Sequence, residues 1–187
     1  MRSVCAVILA GGKSKRMGTN KALLPFGGFS TLAEYQFRRL KTCGLFESVA
    51  LSIKTPFLPF EAPLILDESE LSAPITALCA ILKRAANDRV LILAVDTPFF
   101  NDFKRLIDID APAAIARSDS GIHPLCAVYS RSLLPLFENA IKNGEYSIKK
   151  ALKEAPIVYA DFDEKSLINL NYPDQYQSAK LSDQKGA

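Results

Sequence analysis

Two stretches of the chain are apolar almost without a break, Val4 to Ala10 and Arg89 to Val95. Runs of this length and β-branched content predict strands covered on both faces. Shorter apolar runs predict further strands at Val49 to Ile53, Leu64 to Leu66, Ala113 to Arg117, Leu125 to Tyr129 and Ile157 to Ala160. Between them the period lengthens to that of helices. Thr31-Leu32-Ala33-Glu34 is a capping box that opens a helix to about Cys43, where Gly44 ends it. Pro74 opens a second helix through Ala86, with proline in the first turn where no amide is needed. Asn101 to Ile109 reads as a third. Ser130 caps a fourth, Arg131 to about Lys142, which Gly144 breaks; Ser147 to Glu154 and Pro173 to about Leu181 complete the set. Ser182 to Ala187 is polar and reads as a loose tail to a domain spanning 1–181.

Strands alternating with helices predict a single α/β domain: a mostly parallel, mixed sheet flanked by helices. A chain of 187 residues can bury roughly 70% of its unfolded surface in one core. Ligands of such sheets sit at the carboxyl ends of strands, where the strand order reverses. Two of the predicted strands end in chemistry there, one at Ala10-Gly11-Gly12 and one at Asp96.

Composition narrows the function. Net charge is only +3, with a pI near 8.6, which argues against nucleic acid as partner and suits a small polyanion. Cys5, Cys43, Cys79 and Cys126 are dispersed, and His123 is the one histidine, so no zinc spacing exists. Cys5, Cys79 and Cys126 lie in apolar surroundings and read as buried reduced thiols, which fits the cytoplasm. The N-terminal apolar run is at the short limit for a secretory leader and is followed by a basic, glycine-rich loop instead of a small-residue cleavage site, so it reads as a buried first strand. No stretch approaches the ~20 apolar residues of a membrane span.

Leu9-Ala10-Gly11-Gly12-Lys13-Ser14-Lys15-Arg16-Met17-Gly18-Thr19-Asn20-Lys21 carries the clearest chemistry. Its glycines let the backbone approach a ligand and turn at positive φ, successive amides form an anion nest, and four cations add charge. Gly12-Lys13-Ser14 is not the end of a P-loop, since the first glycine of that motif would fall at Val7. Adjacent Gly11 and Gly12 exclude the dinucleotide fingerprint as well.

Leu9-Ala10-Gly11-Gly12, Arg16-Met17-Gly18 and Lys21 before Ala22-Leu23-Leu24-Pro25 resemble the signature loop of the GT-A-like nucleotidyltransferases, and within them the molybdenum cofactor guanylyltransferase family. The resemblance implies a Rossmann-like nucleotide-diphospho-sugar transferase fold. It implies that Leu9, Ala10, Gly11 and Gly12 wrap the nucleotide and that Lys21 and Arg16 neutralise phosphate charge in the transition state. Val95-Asp96-Thr97-Pro98-Phe99 matches the segment whose aspartate holds Mg²⁺ in that family; read alone, Asp96 suits either a hard cation or a helix cap. Asp67 matches an aspartate near the nucleotide. Ala73-Pro74-Ile75-Thr76-Ala77 departs from the family's G-P-L-x-G, keeping Pro74 and replacing both glycines, and Asn20 stands where aspartate is common.

His123-Pro124 and Asn169-Leu170-Asn171-Tyr172-Pro173 resemble family segments lining the acceptor pocket. His123 is read as a hydrogen-bonding or packing residue, or as lining that pocket, and not as an acid or base. Asn169 and Asn171, at i and i+2 on an extended segment, point one way and would hold a pterin or phosphate, with more weight on Asn169; the other reading of Asn171, compatible with the first, is that it initiates the turn before Pro173.

The resemblance implies transfer of GMP from GTP to the phosphate of Mo-molybdopterin, with Mg²⁺ as cofactor and pyrophosphate released. It implies transient contact with other molybdenum cofactor biosynthesis proteins or molybdoenzymes. The alternatives are an enzyme using CTP with a pterin or another small-molecule phosphate, and a non-catalytic nucleotide- or cofactor-binding protein.

Overall fold

The computed structural model describes residues 3–11, 20–56, 58–71 and 73–183. The N-terminal apolar run forms strand β1 (Val4–Leu9), and the others form β2 (Val49–Ile53), β3 (Leu64–Leu66), β4 (Arg89–Ala94), β5 (Ala113–Ser118), β6 (Gly121–Ser130) and β7 (Ile157–Asp161). They make one sheet in the order β3-β2-β1-β4-β6-β5-β7. β6 alone runs antiparallel to its neighbours, so the sheet is mixed and mostly parallel, as the sequence predicts. The chain leaves β1 for β2 on one side and reaches β4 on the other, so the order reverses at β1.

Helices α1 (Leu32–Thr42), α2 (Pro74–Arg84), α3 (Phe103–Ile107), α4 (Leu134–Lys142), α5 (Ile148–Ala151) and α6 (Pro173–Asp183) cover both faces. Side chains along a strand alternate between faces, and the core divides accordingly. Val4, Ala6 and Ile8 pack with Leu40 of α1, Leu106 of α3 and Tyr176 of α6. Cys5, Val7 and Leu9 pack with Leu78 of α2, Phe137 of α4 and Ile148 of α5. Cys5, Cys79 and Cys126 are buried as expected, and Cys43 is exposed. Among the described residues no helix is long and apolar enough to cross a membrane.

Four elements differ from expectation. β6 starts at Gly121 rather than Leu125, because Asp119 and Ser120 turn the chain straight back on β5 and pair Ser118 with Gly121. The polar run 117–123 reads as loop but is a hairpin. The fourth helix begins as a 3-10 turn, Arg131–Leu133, and becomes α-helical only at Leu134, with Pro135 in the first turn. α3 is confined to Phe103–Ile107, capped by Asp102. α6 runs to Asp183, so Ser182 and Asp183 are helical and not tail; no glycine or proline interrupts before Gly186. Residues 184–187 lie outside the described ones.

Before α1, Phe26 and Phe29 bond to each other across Gly27 and Gly28, both at positive φ (58° and 75°). Two such residues make the tight hairpin turn that favours glycine. Gly27 also lies against Tyr35: an added Cβ would sit 2.4 Å from its ring. Gly27→Ala is expected to destabilise the protein by about 1–3 kcal/mol, read as a lower urea midpoint at unchanged slope.

Candidate active site

The carboxyl ends of β1 and β4 lie side by side, with Leu9 in register with Ala94 and Val95 N donating to Leu9 O (3.1 Å). The chain beyond β1 is anchored sideways, because Ala10 N and Gly11 N both donate to Ser52 O of β2 (3.0 and 3.2 Å). Leu9 and Ala10 are buried, so only their backbone is available to a ligand. Gly11 does not adopt a positive φ, contrary to the general expectation for the loop glycines. A Cβ there would make only ordinary contacts, 3.6 Å from Ile53 Cα at the nearest. Gly12 and Arg16, with Lys13, Lys15 and Gly18, lie outside the described residues.

Description resumes at Asn20, whose carboxamide caps a 3-10 turn, Lys21–Leu23, by accepting from Ala22 N (3.1 Å). Asparagine caps as well as aspartate does, which gives the departure at this position a structural account. From that turn Lys21 Nζ reaches Asp96 Oδ2 (2.9 Å) and Asn171 Oδ1 (2.7 Å). The ion pair is largely shielded, with side-chain exposures of 13% and 18%. Three residues singled out from separate parts of the sequence thus meet at one cation.

Asp96 sits on a turn held by its neighbours. Thr97 Oγ1 donates to Ala94 O (2.8 Å), and Leu170 N donates to Asp96 O (2.8 Å). Asp96 therefore does not act as the cap of α3, a role that falls to Asp102. Cys126 Sγ lies beneath, 3.6 Å from Thr97 Oγ1; burial pushes this thiol up to about 12, so it stays protonated and packs.

The segment 169–171 is a tight turn rather than an extended strand, since Asn171 N donates to Asn169 O (3.0 Å). Gln175 Oε1 of α6 accepts from Asn171 N (2.8 Å) and Tyr172 N (3.1 Å). Asn171 is thus both the residue that opens α6 and the one that reaches Lys21. Asn169, favoured by the sequence, makes no side-chain hydrogen bond among the described residues. Tyr176 Oη also donates to Pro25 O, so α6 ties down the Lys21 segment as well.

Asp67 lies apart. It follows β3, two strands from β1 and so about 10 Å across the sheet. Its carboxylate is buried, accepting from Ser69 N (3.1 Å) and Thr76 Oγ1 (3.2 Å), with Lys54 Nζ at 3.8 Å. Lys54 Nζ also donates to Ser69 O (2.5 Å) and Leu71 O (2.8 Å). Asp67 and Lys54 together fix the segment leading to Ala73-Pro74, and Lys54 carried no motif that would single it out. Ala73 is extended (φ −124°, ψ 142°), a conformation any residue adopts, so the missing glycine costs the backbone nothing.

His123 stands on β6 opposite Ala116, beside an irregularity in the β5–β6 pairing. Its Nε2 is 2.8 Å from Ser118 Oγ, and no hydrogen bond joins it to Lys21, Asp96 or Asn171. Burial pushes its pKa down, partly offset by Glu164. Among the described residues its ring is held by Ser118, at the far end of the β5–β6 hairpin.

Among the described residues no three or more His, Cys, Asp or Glu side chains cluster as a metal cage. A lone carboxylate at a strand exit still fits Mg²⁺, which takes one or two carboxylates and draws its other ligands from phosphates and water.

Residues 6–158 match the MobA-like NTP transferase domain family. The chain is 32% identical to the molybdenum cofactor guanylyltransferase of Helicobacter pylori (strain G27), covering 95% of this chain and 92% of that one. It is 31% identical to the molybdenum cofactor guanylyltransferase of Campylobacter jejuni (strain 81116), covering 93% and 94%. The crystal structure of molybdopterin-guanine dinucleotide biosynthesis protein A from Archaeoglobus fulgidus superposes with a TM-score of 0.81 at 24% identity, over 96% of this chain and 98% of that one, and shares the fold.

Proposed function

The chain belongs to the molybdenum cofactor guanylyltransferase family of MobA-like NTP transferases, and on that premise we propose that it transfers GMP from GTP to the terminal phosphate of Mo-molybdopterin. An acceptor phosphate oxygen attacks the α-phosphorus, the bond from that phosphorus to the bridging oxygen breaks, and pyrophosphate leaves with the electron pair. The product is Mo-molybdopterin guanine dinucleotide. The nucleophile is already ionised, so no general base is required, and His123 has no proton to remove.

The observation that carries this reading is the contact of Lys21 Nζ with both Asp96 and Asn171. It joins the nucleotide loop, the metal carboxylate and the acceptor segment at one point. Leu9, Ala10, Gly11 and Gly12 present backbone to the nucleotide, Asp67 and the segment it fixes serve the base and ribose, and Asn169 and Asn171 flank the acceptor. Lys21, with Arg16, offsets the negative charge that moves toward the leaving pyrophosphate. Asp96 would hold Mg²⁺, which when bound screens the triphosphate charge. Alignment and charge neutralisation are the whole of the catalysis.

The test is pyrophosphate release with Mo-molybdopterin, Mg²⁺ and each of GTP and CTP. Faster release from GTP is expected. Preference for CTP overturns the base assignment, and no release from either overturns the enzyme in favour of a binding protein.

Gly11 gives a second test. Among the described residues neither φ nor a protein contact demands glycine there, which supports a role for its missing side chain toward the nucleotide. Gly11→Ala should weaken GTP binding about tenfold or more by steric conflict, with the melting temperature unchanged; calorimetric titration checks it.

A further inference from the structure

Helix α1 sets two polar side chains one turn apart, the buried Gln36 and the half-buried Arg39, against the turn that carries Asp96. Gln36 is 0% exposed and occupies the same stripe as Leu32, Ala33, Phe37 and Leu40. Its Nε2 donates to Val95 O (3.2 Å), and its Oε1 accepts from Arg39 Nη2 (2.5 Å). Arg39 Nη1 donates to Pro98 O (2.6 Å). The pair therefore grips the carbonyls on either side of Asp96 and Thr97. With Thr97 on Ala94 O and Leu170 on Asp96 O, the carbonyls of Ala94, Val95, Asp96 and Pro98 are all occupied.

Stability alone does not account for a cation here. Among the described residues no carboxylate pairs with Arg39, and its buried Nε has no hydrogen-bond partner. Burial pushes its pKa down, partly countered by Tyr35 and others. The guanidinium lies against the rings of Tyr35 and Phe103, surroundings that a methionine would fill without the cost of burying charge. What a methionine could not do is hold Pro98 O and orient Gln36.

We propose that Gln36 and Arg39 are positioning residues for Asp96: by holding the carbonyls of Val95 and Pro98 they fix the direction its carboxylate takes toward Lys21 and the triphosphate. This rests on the reading of Asp96 as a nucleotidyl-transfer residue and extends it to two side chains in the core. Neither is a catalytic residue.

The experiment compares wild type, Gln36→Glu, Arg39→Met and Arg39→Lys as full chains. Pyrophosphate release with GTP and Mo-molybdopterin gives kcat and KM. Mn²⁺ titration in the presence of GTP, followed by electron paramagnetic resonance, reports the carboxylate without turnover. Melting curves report the fold. Gln36→Glu keeps the size and the acceptor for Arg39, replaces the donor to Val95 O by a second acceptor, and adds a negative charge that Arg39 faces. It should lower kcat on the order of 10²-fold with little change in KM for GTP, and weaken Mn²⁺ binding, while still melting cooperatively. Arg39→Met should fall in the same direction, and Arg39→Lys, able to reach Pro98 O, should recover part of the loss. Wild-type kcat and Mn²⁺ affinity in Gln36→Glu overturn the inference, whether or not Arg39→Met folds. A wild-type protein that neither releases pyrophosphate nor binds Mn²⁺ with GTP overturns the reading of Asp96 itself, and this inference with it.

Discussion

Asp96→Ala is expected to lower kcat for pyrophosphate release by about 10²–10³-fold, a loss of roughly 3–4 kcal/mol of transition-state stabilisation. The fold should survive. The Asp96 side chain is 18% exposed and its turn is held by backbone carbonyls, not by the carboxylate. Among the described residues its ion pair is with Lys21, which keeps Asn171 Oδ1 as an acceptor when the carboxylate is removed. Melting curves and turnover measured on the same preparation separate the two effects. Asp96→Asn sharpens the result. It keeps the shape and can still accept from Lys21 but has no charge for a divalent cation, so it should be nearly as slow as alanine. Activity retained in both variants would remove Asp96 from the mechanism.

Lys21→Met is expected to have an effect of the same size, about 10²-fold or more in kcat/KM. Two losses combine. The charge that offsets the departing pyrophosphate is gone, and so is the tie between Asp96 and Asn171, which span 75 and 150 positions of sequence from Lys21. Lys21→Arg should not restore the rate, since a planar guanidinium cannot reproduce contacts made by a compact ammonium to two acceptors. On the proposed roles Lys21 and Asp96 act on the same phosphates, so their effects should not add. The double variant Lys21→Met with Asp96→Ala should lie within about tenfold of the slower single variant. Independent, multiplied losses would show that the two residues serve separate steps.

The parts of this protein that the sequence made legible are those written locally. The runs at Val4 and Arg89 are apolar on both sides of the strand, so the interior of the sheet was plain, and a carboxylate at the exit of one of them stood out. Capping by Thr31 and termination at Gly44 are rules of adjacent residues, and α1 ends where they place it. The polar hairpin at 118–121 was hidden because its residues pair along an exposed stretch, with no apolar alternation to betray the strand. Gln36 was hidden for the opposite reason. A polar residue in an apolar stripe reads as the solvent edge of a helix, yet here it is fully buried and bonded to a strand exit 59 positions away. That conflict between position and polarity was the available signal. Asn171 rather than Asn169 reaches Lys21 because the segment turns instead of extending, and a turn held by Gln175 cannot be read from the two asparagines alone.

The attachment of α6 bears on how the protein comes into being. Gln175 sets the turn that presents Asn171, and Tyr176 fastens the segment bearing Lys21 through Pro25. Every strand, by contrast, is complete by Asp161. During synthesis the sheet can assemble while the residues after Pro173 are still within the ribosome. A nascent chain at that stage lacks Tyr176 and Ala179 on one face of the core, and with them the turn that brings Asn171 to Lys21. The contact of Lys21 with both Asp96 and Asn171 is therefore expected to be complete only once the last helix docks.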